Sequence, residues 1–140
     1  MTPKEECEEL LDFLLTFAEN QLKKRGEFYP YGTVMKTDGS IVATAFWDDE
    51  TEFPQSADVI ENLTKAHKEE AEERKIKASG IAWDAKITMP DGKKSDAVVI
   101  SLEHADHYAV VVVQAYRQGL FRKLKFGKSM AQEGTHEIFN

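Results

Sequence analysis

The spacing of apolar side chains predicts two helices. Near the N-terminus, apolar residues recur three and four positions apart, as one buried helix face requires: Cys7, Leu10, Leu11, Leu14, Phe17, Ala18 and Leu22. Thr2, Pro3 and Glu5 are typical of a helix start with a capping box, and Gly26 follows a basic last turn. We therefore predict one helix over residues 3–25. A second helix is predicted from Ala57 to about residue 74, with these inward-facing residues: Val59, Ile60, Leu63, Ala66, His67 and Ala71.

Alternating and continuous apolar runs predict strands. Gly32–Lys36 and Ser40–Trp47 flank Asp38-Gly39, and an Asp-Gly turn between such runs indicates a hairpin. Period-two alternation predicts a strand over residues 81–89, and further strands are predicted at 97–102 and 108–116. The last of these contains Ala109–Val113, which is apolar at every position and is therefore typical of a central strand.

These elements predict an α+β fold: an antiparallel sheet of about five strands with two helices, in the order α-β-β-α-β-β-β. We expect a single domain over residues 1–126. Within it, the apolar residues between Leu120 and Phe126 indicate an additional edge strand or a short packed segment. Residues 127–140 are predicted to be a loose C-terminal tail, in which Ile138 and Phe139 could dock.

Two short motifs carry a family resemblance. Residues 27–32, with the sequence EFYPYG, open the first hairpin, and residues 101–106, with the sequence SLEHAD, end a strand. Over roughly residues 10–117 the chain resembles a family of small uncharacterised bacterial α+β proteins. Its element order also resembles that of roadblock, longin and profilin domains. The resemblance implies the fold and a bacterial cytoplasmic setting, and it implies no activity.

Charge and composition narrow the classes of function. The chain of 140 residues has a net charge of −7, which argues against a duplex nucleic-acid binder, because such proteins neutralise phosphates with Lys and Arg. A single cysteine excludes an intrachain disulfide framework and a multi-cysteine zinc site. The first apolar stretch, residues 10–17, follows acidic residues and contains Asp12. We therefore expect no signal peptide, no membrane span and a cytoplasmic location.

One cluster has side chains of metal-ligating types. His104 and His107 lie three residues apart beside two carboxylates, and Asp84 is a candidate third ligand from a neighbouring strand. The spacing is that of a strand end and a turn, so a solvated turn is the favoured interpretation. We expect no cofactor and no catalytic residue. Cys7 and His67 lie on the inner faces of their helices and are interpreted as core residues.

The charge distribution indicates a partner-binding surface. Residues 1–73 contain 18 acidic and 7 basic side chains, whereas residues 74–140 contain 7 acidic and 11 basic ones. Such a dipolar surface can steer a protein partner or a second copy of the chain. The predicted partner-binding residues are the acidic side of the second helix and the aromatics near the first hairpin: Glu69, Glu70, Glu72, Glu73, Tyr29, Tyr31 and Trp47.

We therefore expect a non-enzymatic cytoplasmic protein-interaction or regulatory domain. Three alternatives stay open at this point. One is a small metal-dependent enzyme that uses the His/Asp cluster. Another is a small-ligand sensor with a pocket between the aromatics and the first helix. The third is a single-strand nucleic-acid groove along residues 117–128, with Phe121 and Phe126 stacking on bases, which the acidic remainder of the chain disfavours. An open sheet edge would also allow a homodimer.

Overall fold

The computed structural model describes residues 1–45 and 56–140. Helix α1 spans Pro3–Arg25. It begins with the predicted capping box, in which the Glu5 backbone amide donates to the Thr2 hydroxyl over 3.1 Å. It ends at Gly26, which adopts a left-handed conformation with φ 77°. The sequence prediction for this helix is confirmed.

Helix α2 spans Ser56–Glu72 and buries Val59, Leu63 and His67. This is half the number of residues that α1 buries, although α2 has 17 residues against 23 in α1. Among the described residues, neither helix combines the length and the apolar character that a membrane span needs.

The strands form a six-stranded antiparallel sheet in the order β2-β1-β3-β4-β5-β6. The strands are β1 Tyr31–Lys36, β2 Ile41–Thr44, β3 Ile76–Thr88, β4 Lys94–His104, β5 Tyr108–Gln118 and β6 Leu124–Glu133. A 3₁₀ turn, Leu120–Arg122, precedes β6. The α+β class is therefore confirmed, while the predicted number of about five strands is corrected to six.

The C-terminal segment differs most from its prediction. Residues 127–133, expected to be part of a loose tail, belong to β6, whose Met130 pairs with Val113 of β5. Further along, Ile138 is buried, and its backbone amide donates to the Glu103 carboxylate over 3.0 Å. Desolvation raises the pKa of Glu103, and the hydrogen bonds from the backbone amides of Ile138 and Phe139 oppose that rise.

The two helices pack on opposite faces of the sheet, because successive strand side chains point in opposite directions. On β3, Ala78 and Ala82 join the core cluster that contains the buried side of α1. Ile81, which has the opposite orientation, packs with Val59 and Leu63 of α2. The α1 face therefore holds the larger core, and α2 covers a smaller area over β1 and β3.

Candidate functional site

The aromatic residues near the first hairpin divide into buried and exposed side chains. Tyr31 is buried, and its hydroxyl donates to the backbone carbonyl of Leu14. Its ring contacts those of Phe17 and Phe28, with ring centroids 4.4 and 5.5 Å away. Burial raises the pKa of Tyr31. Its place in the core makes Tyr31 a packing residue of the α1 face.

Tyr29, in contrast, is 50% exposed and is available for recognition. The structure thus separates two residues that the sequence pattern grouped together. Trp47, the third aromatic candidate, lies outside the described residues.

The acidic candidates lie in the last turn of α2 and directly after it. Glu69, Glu72 and Glu73 are exposed, whereas Glu70 is half-buried. The last turn of α2 contains no basic residue, so these carboxylates lie near the negative end of the helix dipole and repel one another. In the described residues, Glu73 makes one close ion pair, with the Lys75 ammonium at 2.6 Å. These four carboxylates therefore form a negatively charged surface in which their mutual repulsion opposes folding.

His104 uses both ring nitrogens for contacts within the fold. Its Nδ1 accepts a hydrogen bond from the Asp106 backbone amide over 3.0 Å, so the proton resides on Nε2. Nε2 then donates to the Glu6 carboxylate over 3.0 Å, and the Lys77 ammonium lies 2.6 Å from the other Glu6 oxygen. The hydrogen bond from Lys77 lowers the pKa of Glu6, desolvation opposes this, and the hydrogen bond from His104 supports it. These contacts fasten the start of α1 to β3 and β4.

The other metal candidates lie apart from His104. Asp84 accepts a hydrogen bond from the Tyr116 hydroxyl over 2.7 Å, and desolvation raises the pKa of Asp84. It is six residues along β3 from Ala78, the residue opposite His104, which is roughly 20 Å at strand spacing. His107 lies exposed in the β4–β5 turn. In the described residues, no group of three or more His, Cys, Asp or Glu side chains is placed to hold a metal ion.

A buried polar cluster beneath α2 connects three separate elements. His67 is 1% exposed, and its ring nitrogens lie 2.8 Å from the Thr44 hydroxyl and 2.7 Å from the Ser79 hydroxyl. Burial lowers the pKa of His67 to about 4, so the ring is neutral at pH 7. Gly32 lies directly against this cluster, because a Cβ there would approach the His67 Cε1 to 2.9 Å. The sequence placed His67 on the inner side of α2 but gave no sign of its two hydroxyl partners.

Cys7 is a core residue, as its helix position predicts. Its thiol is 1% exposed, and burial, followed by the charges of Glu6 and Glu103, raises its pKa to about 12. The thiol is therefore protonated at pH 7 and is a poor nucleophile.

The turn between β5 and β6 presents two large apolar side chains to solvent. Leu120 is 85% exposed and Phe121 is fully exposed. The backbone of the turn is nevertheless ordered, because the Gly119 amide donates to the Lys123 carbonyl over 2.9 Å and the Lys123 amide donates to the Leu120 carbonyl over 3.2 Å. Phe121 has φ 57° and ψ 29°, a left-handed conformation that is uncommon for a bulky side chain.

Contacts with the last turn of α1 hold this exposed turn in place. The side-chain amide of Gln118, at the end of β5, donates to the Leu22 carbonyl of α1 over 2.6 Å. The surroundings are basic, because the last turn of α1 and the flanking strand ends contribute these residues: Lys23, Lys24, Arg25, Arg117, Lys123 and Lys125. One of them, Lys23, pairs with Glu19 at 2.9 Å. We call Leu120 and Phe121, with this basic surround, the β5–β6 tip.

The sequence signal for the β5–β6 tip was ambiguous. The sequence pattern predicts that Leu120 and Phe121 belong to an edge strand or a packed segment, whereas the strand begins after them, at Leu124. Gly119 and the positive run that follows were the available indications of a turn.

Comparisons with protein-family models, with curated proteins and with solved structures find no match to this chain.

Proposed function

We propose that this chain is a non-enzymatic protein-interaction domain of the cytoplasm, which docks on a partner through the β5–β6 tip. The observation that carries the proposal is the full exposure of Phe121 beside the 85% exposed Leu120. Burying one large apolar side chain stabilises a complex by about 1.5–3 kcal/mol. A fixed turn that holds two such side chains in solvent is therefore suited to enter an apolar pocket of another protein.

The charges around the tip define the chemistry of the partner. Lys123 and Lys125 follow the two apolar side chains along the chain and are exposed, and α1, which contacts the 3₁₀ turn, ends with the exposed Arg25. A partner whose pocket is rimmed by Asp or Glu would match both the apolar centre and the basic surround. The acidic end of α2 is not part of this docking surface, because α2 covers β1 and β3, on the other side of the sheet order from β6.

Site-specific photocrosslinking tests the proposal. The photoreactive amino acid p-benzoylphenylalanine replaces Phe121 in the full chain, and it replaces Phe13, Tyr29 or Glu69 in parallel variants. Phe13 is the matched control, because it is an aromatic residue that is 37% exposed on α1. We expect a crosslink to an acidic protein at position 121 and at none of the other three positions.

Affinity measurements with the captured partner complete the test. Phe121→Ser should weaken binding by about 30-fold, as the loss of an interface hot spot does, while Phe13→Ser should leave it unchanged. Crosslinks confined to Tyr29 or Glu69 would contradict the proposal and favour the surfaces predicted from the sequence. A crosslink at position 121 to a second copy of this chain would also contradict it, because the docking surface would then serve a homodimer.

A further inference from the structure

A cavity of about 500 Å³ lies at one end of the sheet, where the β3–β4 turn, the end of β5 and the start of β6 meet. Its lining is strongly basic. The cationic side chains are Lys93, Lys94, Arg117, Lys125 and Lys128, and the anionic ones are Asp91 and Asp96. This excess of positive charge stands out in a chain whose net charge is −7.

Ion pairs among the described residues do not neutralise the positive charges of the cavity. In the part of the chain that the structure describes, none of the five cationic side chains forms an ion pair. The Lys94 ammonium donates instead to the Thr88 hydroxyl over 2.7 Å. The Asp91 carboxylate accepts the backbone amide of Lys93 over 2.9 Å, which directs this carboxylate into the turn.

Two of the cations are held directly opposite each other. Arg117 of β5 pairs in register with Lys125 of β6, so their side chains share one face of the sheet. Like charges at such positions destabilise a sheet. The register is fixed nearby, because the Gln114 side-chain amide donates to the Gly127 carbonyl over 3.0 Å across the irregularity between Gln114 and Tyr116. An anion between Arg117 and Lys125 would convert this repulsion into attraction.

We propose that this cavity binds a small polyanion, specifically a phosphorylated small molecule. Its volume falls in the range of small-molecule sites, about 300–1,000 Å³. The Arg117 guanidinium can bind phosphate oxygens with two parallel hydrogen bonds, and the lysines add compact positive charges. Ala115 and Phe126 supply an apolar part of the lining for the remainder of the ligand. The cavity shares Arg117 and Lys125 with the basic surround of the β5–β6 tip, but Leu120 and Phe121 do not line it, so substitution of Phe121 tests docking without altering the cavity.

Titration calorimetry of the full chain with inorganic triphosphate as the probe tests the proposal. We expect one saturable site per chain, and we expect the double variant R117Q/K125Q to bind at least tenfold more weakly. The matched control is K65Q/K86Q, which removes two exposed positive charges that neither line the cavity nor belong to the β5–β6 tip. It should bind within about twofold of the natural chain. An equal loss in both double variants would overturn the proposal, because it would show general charge attraction without a site.

Thermal melting separates binding from folding. Without the probe, R117Q/K125Q should melt at or above the temperature of the natural chain, because the variant removes a repulsion. Added triphosphate should raise the melting temperature of the natural chain and leave that of the variant unchanged. Two further probes test whether the surface prefers another class of polyanion: a twelve-nucleotide thymidine strand and a hexaglutamate peptide. Binding of either probe at least tenfold tighter than triphosphate, with the same loss in R117Q/K125Q, would overturn the proposal, as would the absence of saturable triphosphate binding.

Discussion

Helix α1 and helix α2 lie on opposite faces of one sheet, and each is fastened to it by a buried histidine in a different chemical setting. On the α1 side, His104 donates to the charged Glu6, which also pairs with Lys77. On the α2 side, His67 contacts two hydroxyl groups, Thr44 and Ser79, neither of which titrates. The α1 contact is thus ionic, and the α2 contact is neutral.

The two helices also differ in how many apolar side chains they bury against the sheet. α1 buries five apolar side chains from Cys7 to Leu22, whereas α2 buries Val59 and Leu63 beside His67. The polar contact therefore forms a larger share of the attachment of α2. We expect α2 to be the less stable unit and the first to open locally.

The largest expected effect comes from truncating one leucine on each side. Leu14 is fully buried in the α1 cluster, so Leu14→Ala should lower the free energy of unfolding by about 4 kcal/mol, since enclosed surroundings relax little. Leu63→Ala should cost about 2 kcal/mol, because its cluster ends at the partly exposed Trp83 and can close over the gap. Denaturant titrations followed by circular dichroism measure both values. Equal losses would show that the two sides are packed alike.

Acid should weaken the α2 side before the α1 side. The pKa of His67 is about 4 in the folded chain and near 6.5 when unfolded, so the unfolded state binds more protons between these values. The free energy of unfolding should therefore fall by on the order of 3 kcal/mol as the pH drops from 6.5 to 4. Glu6, whose pKa is lowered in the folded chain, keeps its contribution until the pH falls below its unfolded value of 4.5.

His67→Gln isolates this effect, because glutamine can bond to both hydroxyls and does not titrate. The two chains should have similar unfolding free energies near pH 7, and the natural chain should become less stable relative to the variant by on the order of 3 kcal/mol as the pH falls from 6.5 to 4. In the natural chain, hydrogen exchange at pH 5 should show the α2 amides opening before those of α1. A difference that does not change with pH would show that His67 is not the titrating group.

Gly32 allows a sharper test of how closely α2 fits the sheet. A Cβ at this position would lie 2.7 Å from the Thr44 hydroxyl oxygen and 3.0 Å from the Gly80 backbone carbonyl. Gly32→Ala should therefore lower the free energy of unfolding by about 2 kcal/mol, as overpacking does. Gly39→Ala is a poor control because Gly39 has φ 92°, whereas Gly119→Ala meets only one atom, at 3.9 Å. Thermal denaturation measures both losses. Equal losses in Gly32→Ala and Gly119→Ala would show that the side chains of His67 and Thr44 can move aside to accommodate the added methyl group.

The sequence predicted elements that bury one regular face and missed those that do not. α1 was predicted to its ends because its buried positions recur with helical spacing and both caps are visible. The start of β6 falls in the segment for which an edge strand was one of two interpretations, and the rest of β6 was missed because nearly all its residues are exposed, so no alternation marks it. The local pattern does not show that α1 packs over the start of β1, so it does not separate the buried Tyr31 from the exposed Tyr29 in the segment before the strand.

The candidate site was less predictable than the fold, because it depends on contacts between distant residues. His67 meets Thr44 and Ser79 only when α2 packs on β1 and β3. The facing cations Arg117 and Lys125 are visible only once the β5–β6 register is known. The exposure of Leu120 and Phe121 contradicts the usual expectation that large apolar residues are buried, so sequence alone favoured packing.

The smallest expected effect concerns the β5–β6 tip, where neither helix covers the side chain of Phe121. Because Phe121 is fully exposed, its ring does not contribute to packing within the domain. Its left-handed backbone conformation is costly for phenylalanine and is tolerated by asparagine. Phe121→Asn should therefore raise the free energy of unfolding by about 0.5–1 kcal/mol. Phe17→Asn, which removes a ring 4.4 Å from that of Tyr31, should lower it. If Phe121→Asn gains stability and loses partner binding, Phe121 serves docking at a cost to the stability of the fold. If the variant instead loses stability, Phe121 packs within the domain.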